Sequence, residues 1–190
     1  MVDRTGLVEI RWHGRGGQGA VTSAELLAKA AIDEGKYAQA FPAFGAERRG
    51  APVLAFDRIN SRQAIRIRTE VTEPDIVVVL DPGLLHIVNA TSGLKDKGAL
   101  VINTSKASDA IESEFGNGWR LAIIDATRIA RELGIPTVNT TMLGALIRAN
   151  GVVKLESLFE PLRHRFGRLA ERNIDAMKKA LEETVVKEPR

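Results

Sequence analysis

Residues Gly14-Arg15-Gly16-Gly17-Gln18-Gly19 satisfy the spacing GxGxxG. Glycines let a backbone turn tightly and come close to a ligand, and unpaired N–H groups at a helix start attract anions. The chemistry open to such a loop is the binding of a phosphate or carboxylate. A tight strand-to-helix turn without a ligand uses the same residues, so the motif alone does not choose. A second segment, Phe41-Pro42-Ala43-Phe44-Gly45-Ala46-Glu47-Arg48-Arg49-Gly50-Ala51-Pro52, sets Arg48 and Arg49 beside Gly50. Paired guanidinium groups are suited to grip phosphate or carboxylate, on a ligand or on a partner subunit. Arg58, Arg62, Arg66 and Arg68 extend the cationic stretch, which reads equally as solvated surface.

Acid–base and metal chemistry show no such concentration. His13, His86 and His164 lie far apart, without metal-ligand spacing. His13 abuts the glycine loop and either reaches a ligand there or sits at a strand end as a surface residue. Asp81 and Asp125 follow expected strands, where sheet folds place functional groups, but each is read first as a cap of the next helix. No catalytic acid, base or nucleophile and no metal ligand is assigned. The absence of cysteine excludes a disulfide framework, a cysteine nucleophile and cysteine-ligated zinc or iron–sulfur sites within this chain.

The elements that must position these residues follow from hydrophobic periodicity. Val8, Ile10 and Trp12 alternate with Glu9, Arg11 and His13, which predicts a strand with one wetter face and Trp12 in the core. After the loop, Val21, Ala24, Leu27, Ala28 and Ala31 keep helical spacing until Gly35. The glycine loop thus lies between a strand and a helix, as the motif requires. Residues 37–41 predict a second strand ended by Pro42, 44–52 a loop, and 53–59 a strand. Asn60-Ser61 predicts a turn, and the alternation of Ile65 and Ile67 with Arg66 and Arg68 a returning strand, hence a hairpin with antiparallel pairing. The apolar run 76–80 is expected to be buried on both faces of a sheet centre.

Further short strands are expected at 99–103 and 121–125, and a short helix at 84–90. Asp125 or Thr127 is expected to cap a helix through Leu133, and Asn139 another through Ala149. Leu155, Leu158, Phe159, Leu162 and Phe166 form one helical face, and Ala170, Ile174, Met177 and Leu181 another. Arg163, Arg165, Arg168 and Arg172 on these helices read as a solvated face. The expected fold class is α/β, a three-layer α/β/α sandwich with a mixed, Rossmann-like sheet and C-terminal helices. Residues 1–190 are expected to form a single domain with a helical extension from about 151.

Composition bounds the function. A chain of 190 residues with 44% hydrophobic and 27% charged residues is an ordinary globular protein. The formal charge is +3, and 18 Arg against 9 Lys carry most of the positive charge. No Lys/Arg run has interleaved aromatics, which make up only 5% of residues, so nucleic-acid binding is not expected. The polar start at residues 1–6 lacks the apolar stretch of a signal peptide, and the longest apolar run is too short to span a membrane. A cytoplasmic location is expected.

An NAD(P)-binding Rossmann unit is the strongest alternative for the glycine loop. It requires an acidic residue at the end of the second strand, about 20 residues beyond the loop. Near Phe41 and Pro42 there is none: Asp33 and Glu34 come too early, and Glu47 falls in the next loop.

The sequence GRGGQG after a first strand, followed by FPAFGAERRGAP and another strand, resembles the gamma subunit of pyruvate and related 2-oxoacid:ferredoxin oxidoreductases. Val138-Asn139-Thr140-Thr141-Met142-Leu143-Gly144-Ala145 and the helix around Asn173 are similar to that family too, so the resemblance covers residues 8–180. It implies a multi-subunit enzyme that oxidatively decarboxylates a 2-oxoacid, with alpha, beta and delta subunits as partners and ferredoxin as electron acceptor. Thiamine diphosphate, magnesium and iron–sulfur clusters would sit in the partner subunits, and CoA would be the one ligand shared with this chain. On that resemblance Gly14, Arg15, Gly16, Gly17, Gln18 and Gly19, with Arg48, Arg49 and Gly50, help to seat CoA phosphates or close against the catalytic subunits. The FGAERRGAP form is closer to the pyruvate and branched-chain types than to the indolepyruvate type. Because the thiamine-bearing subunits choose the substrate, 2-oxoisovalerate, 2-oxoglutarate and indolepyruvate remain alternatives to pyruvate.

Overall fold

The chain runs β1 (Leu7–Arg15), α1 (Ala20–Asp33), β2 (Tyr37–Pro42), β3 (Pro52–Asn60), β4 (Ile76–Val79), α2 (Leu84–Ile87), β5 (Ala99–Asn103), α3 (Ser108–Phe115) and β6 (Arg120–Ile124). It continues as α4 (Ala126–Glu132), α5 (Asn139–Asn150), a 3-10 turn (Glu156–Leu158), α6 (Phe159–Phe166), α7 (Ala170–Glu183) and β7 (Val185–Lys187). These elements come from a computed structural model that describes residues 6–43 and 50–190. Among the described residues the strands form one sheet in the order β2-β3-β1-β4-β5-β6-β7. β1, β4, β5 and β6 are parallel, whereas β3 runs antiparallel to both β1 and β2, and β7 antiparallel to β6. The sheet is therefore mixed, and the α/β sandwich has the architecture expected from the sequence.

Helices cover both faces because the central strands are apolar on both. Ile76, Val78, Val101 and Ala122 face a core made with Leu27 of α1, Met142 of α5 and Met177 of α7. Their neighbours Val77, Val79, Leu100 and Ile123 face the opposite core, with Leu84 of α2 and Ile111 of α3. Burial of each such large side chain contributes roughly 1.5–3 kcal/mol. The C-terminal helices belong to the first layer: α7 packs so close to α5 that a Cβ on Gly144 would stand 2.1 Å from the carbonyl oxygen of Met177.

From β1 the chain crosses through α1 to β2 and β3 on one side, then re-enters as β4 on the other. The carboxyl ends of β1 and β4 thus flank the point where strand order reverses, the usual place for ligands in open α/β sheets. This edge carries the glycine loop.

Several expectations need correction. The wetter face of β1 is not wet: Arg11 is 7% and His13 4% exposed. β1 is an inner strand, and backbone carbonyls satisfy its charge, because the Arg11 guanidinium donates to Val71 O, Thr72 O, Ala90 O and Ser92 O. The hairpin after Asn60 does not form, since β1 and β2 already occupy both edges of β3. Residues 61–75 instead cross the sheet without strand structure. They are held by Arg58, which donates to Ile67 O, Thr69 O and Glu70 O, and by Gln39, which donates to Ile65 O. The helix expected at 84–90 stops at Ile87, because Val88 is extended. Asp125 caps α4 through Arg128 N, but Asn139 caps nothing: it lies inside α5 and the cap position is Val138. α3 and β7 were not expected.

Candidate functional site

The loop after β1 is tied to the segment before β3 by its backbone. Gly16 N donates to Ala51 O at 2.9 Å, and Gly50 N donates back to Gly16 O at 3.2 Å. This bridge continues the antiparallel register of β1 and β3, in which Gly14 faces Val53 and Arg15 faces Pro52. Gly50 and Ala51, at the end of the second segment that the sequence singles out, are thereby joined to the glycine loop. Within the loop, Gln18 N donates to Arg15 O, while the Gln18 side-chain oxygen accepts from Arg15 N at 2.7 Å. Gly17 has φ +94° and a Cβ there would meet nothing within 4 Å, so only glycine keeps this turn unstrained and open to solvent.

Two helices begin at this edge. Gly19 immediately precedes α1, and a Cβ on it would lie 2.8 Å from Nδ2 of Asn139, the first residue of α5. Ser23 Oγ donates to Asn139 O and joins the two first turns. The far ends of the helices also meet, because Glu34 accepts from Lys154 N and Lys36 donates to Val152 O. α1 and α5 thus lie side by side in the same sense, with both N-termini at the loop and no acidic residue in either first turn. Each N-terminus carries about half a positive charge, which favours anions beside it.

The loop also has a carboxylate of its own. Asp81, directly after β4, accepts from Arg15 Nε at 2.7 Å and from Gln18 Nε2 at 3.3 Å through Oδ2. Its Oδ1 accepts from Gly83 N at 2.9 Å, and Arg15 Nη1 donates to Gly50 O at 3.2 Å. Contrary to expectation, Asp81 does not cap α2, because the cap position is Gly83 without a side-chain bond; it closes the turn before that helix and holds the loop's arginine. The arginine and aspartate side chains are 29% and 22% exposed.

The structure brings together Gly14, Arg15, Gly16, Gly17, Gln18, Gly19 and Gly50, whereas Arg48 and Arg49 lie outside the described residues. The remaining arginines do not join them: Arg58 pairs with Glu9 near the opposite end of β1. His13 is not a surface histidine. Burial, with Arg11 beside it, lowers its pKa to about 4. Its Nε2 accepts from Arg11 Nε, and its buried Nδ1 has no partner. His86 pairs with Glu114 on the surface, and His164 lies on α6. The sequence missed Asp81 as a loop ligand, Ala51 as the bridge acceptor and Asn139 as the neighbour of Gly19. For Asp81 the signal was present, a carboxylate ending an apolar run, but capping accounted for it.

A second, polar cleft of about 450 Å³ lies farther along the same edge, with Asn103, Thr104, Lys106, Arg128 and Arg131 in its lining. Its cations are mostly spoken for: Arg128 pairs with Glu132 and Glu183, and Lys106 with Glu114. Among the described residues no cluster of three or more His, Cys, Asp or Glu side chains could hold a metal ion, and no helix is long and apolar enough to cross a membrane.

Comparison with known proteins shows the family of the chain. Residues 9–183 match the family described as pyruvate ferredoxin/flavodoxin oxidoreductase. The common gamma subunit of the pyruvate/ketoisovalerate oxidoreductases of Thermococcus kodakarensis is 54% identical, over 96% of this chain and 100% of that protein. Pyruvate synthase subunit PorC of Methanothermobacter thermautotrophicus is 52% identical over 93% and 96%. The crystal structure of the pyruvate oxidoreductase subunit PORC of Thermotoga maritima superposes with a TM-score of 0.84 at 39% identity, over 96% of this chain and 99% of that one. The fold recurs in the 2-oxoglutarate:ferredoxin oxidoreductase of Magnetococcus marinus at 21% identity and a TM-score of 0.75, covering 97% of this chain but 33% of that longer one. The chain belongs to the pyruvate ferredoxin/flavodoxin oxidoreductase family, among its gamma subunits.

Proposed function

We propose that this chain works in a cytoplasmic, multi-subunit, thiamine diphosphate-dependent pyruvate:ferredoxin oxidoreductase, where its 14–19 loop, Gly50, Arg48 and Arg49 seat the phosphates of CoA. Alpha, beta and delta subunits are its partners on this reading, and ferredoxin is the acceptor of the complex. Thiamine diphosphate on a partner supplies the carbon chemistry at the keto group, and partner clusters carry the electrons away. The task of this chain is to hold an anion and leave the CoA thiol free to reach the neighbouring subunit.

One observation carries the reading: the backbone bridge between Gly16 and residues 50–51, which directly follow Arg48 and Arg49 in sequence, at a glycine loop with two helix N-termini. Glycine amides, helix dipoles and guanidinium groups all favour the same kind of ligand.

The test is the double variant Arg48→Ala/Arg49→Ala in the assembled complex. Removing charge-assisted bonds to phosphate should raise KM for CoA by about ten- to a hundredfold, and raise it far more than KM for pyruvate. An unaltered KM for CoA in the assembled double variant rules the CoA role out. A second reading, closure of the loop against a catalytic subunit, is favoured by Asp81, which already neutralises Arg15. On that reading the double variant lowers the yield of assembled complex on size-exclusion chromatography and leaves KM for CoA alone.

A further inference from the structure

We propose that Asp81 is a positioning residue that serves as the internal counter-anion of the glycine loop, holding Arg15 until a ligand phosphate takes its place. The proposal rests on the CoA reading and adds to it a carboxylate with which CoA must compete.

The two oxygens of Asp81 have separate tasks. Oδ1 accepts from Gly83 N and fixes the turn after β4. Oδ2 faces the loop, where Arg15 Nε and Gln18 Nε2 converge on it. A charged oxygen that gathers a guanidinium and an amide presents the same recognition pattern as a phosphate oxygen. The pattern comes from three chain segments at the strand-order reversal: the loop after β1, the turn after β4, and residues 50–51.

The exchange is feasible because the pair is not sealed. Both side chains remain about a quarter exposed, and ion pairs open to solvent shift equilibria by about fivefold or less. A phosphate that also meets the loop amides therefore has enough to gain to displace the carboxylate. Gln18 limits how far Arg15 can move, since its side-chain oxygen keeps Arg15 N in place while its NH2 group turns to the anion, whichever it is.

Asp81→Asn separates the two tasks, because an amide oxygen still accepts from Gly83 N while the competing charge is gone. In the assembled complex this variant should lower KM for CoA by about two- to fivefold and leave KM for pantetheine, which lacks the phosphates, where it was. A carboxylate that merely builds the turn predicts a higher or unchanged KM for CoA, and that result overturns the proposal. If KM for CoA is unmoved in Asp81→Asn but rises in Arg48→Ala/Arg49→Ala, the counter-anion idea fails and the CoA site stands. If neither variant moves it, both fail. Should Asp81→Asn not assemble, Arg15→Gln provides the second route. It should raise KM for CoA but not for pantetheine, and an unchanged KM for CoA again overturns the exchange.

Discussion

Asp57 offers the sharpest test of the fold. It lies on β3 between Ile10 of β1 and Ala40 of β2, and it is fully buried on the α1 side of the sheet. Oδ2 accepts from Trp12 Nε1 at 2.7 Å, and Oδ1 has no partner. Burial raises its pKa well above the ordinary carboxylate value, and the Trp12 bond opposes that only in part. Asp57 therefore keeps its proton to a higher pH than an exposed carboxyl does. A folded pKa above the unfolded one means that stability is complete below about pH 3.9 and is then lost at about 1.4 kcal/mol per pH unit until the folded pKa is reached. His13 has the opposite sign: its pKa falls from 6.5 to about 4, so it costs stability as pH drops through that window. Where the two windows overlap, the two slopes cancel.

Asp57→Asn keeps an oxygen for Trp12 but cannot ionise. Its extra N–H lacks an acceptor, which adds a pH-independent cost of about 1–3 kcal/mol. The informative quantity is the difference in unfolding free energy between variant and wild type, from urea titrations at a series of pH values with matching m-values. As pH rises above the ordinary carboxylate value, wild-type stability should fall relative to the variant, so that the difference grows by about 1.4 kcal/mol per unit up to the raised pKa. Below about pH 6.5 His13 protonation lowers the stability of both proteins. Groups shared by both proteins cancel in the difference. Curves that stay parallel as pH rises above about 4 would mean that Asp57 keeps an ordinary carboxylate pKa in the fold, and the argument from burial would be refuted.

Two further substitutions probe the packing. Gly144→Ala places a Cβ 2.1 Å from a backbone oxygen of α7. That oxygen has no rotamer with which to yield, so a loss of about 3 kcal/mol or more is expected in a urea titration; unchanged stability would place α5 and α7 farther apart. Arg11→Met strands the buried carbonyls of Val71 and Ala90 without their donor. A loss of about 2–5 kcal/mol should follow, with faster amide exchange around residues 71–72 and 90–92. Unaltered exchange there would show that these loops do not depend on Arg11.

The sequence announces best what depends on local period. β4, β5 and β6 are short runs such as Ile76–Val79, buried on both faces and apolar but for Asn103 and Arg120 at strand ends. α1 and α7 carry clear stripes. What fails depends on tertiary partners. Arg11 and His13 alternate with apolar residues and so read as solvent-facing, because nothing local shows that distant carbonyls will enclose them. Ile65 and Ile67 alternate as a strand would, but β3 has no edge left for them. β7 is three residues long and α3 buries only Ile111, too little signal for either period. At the candidate site the two motifs were legible as segments, whereas their bridge is a matter of strand register, and Asp81 joins them only because β4 lands beside β1.

That last placement bears on selectivity. Two helix N-termini and a free arginine would attract small anions of many kinds, since such attraction needs only charge. With Asp81 in place the arginine is already matched, and a lone phosphate gains little by replacing one anion with another. A ligand with several phosphates differs in kind: on the proposed reading it engages the loop amides whether or not the exchange at Arg15 has occurred, and each contact already made raises the local concentration of the next phosphate. On the proposed reading the carboxylate thus turns a general anion trap into one that favours a polyphosphate carrier. The ordering to expect, in competition against CoA on the assembled complex, is pyrophosphate ahead of phosphate by a wide margin in the wild type and by a narrow one in Asp81→Asn.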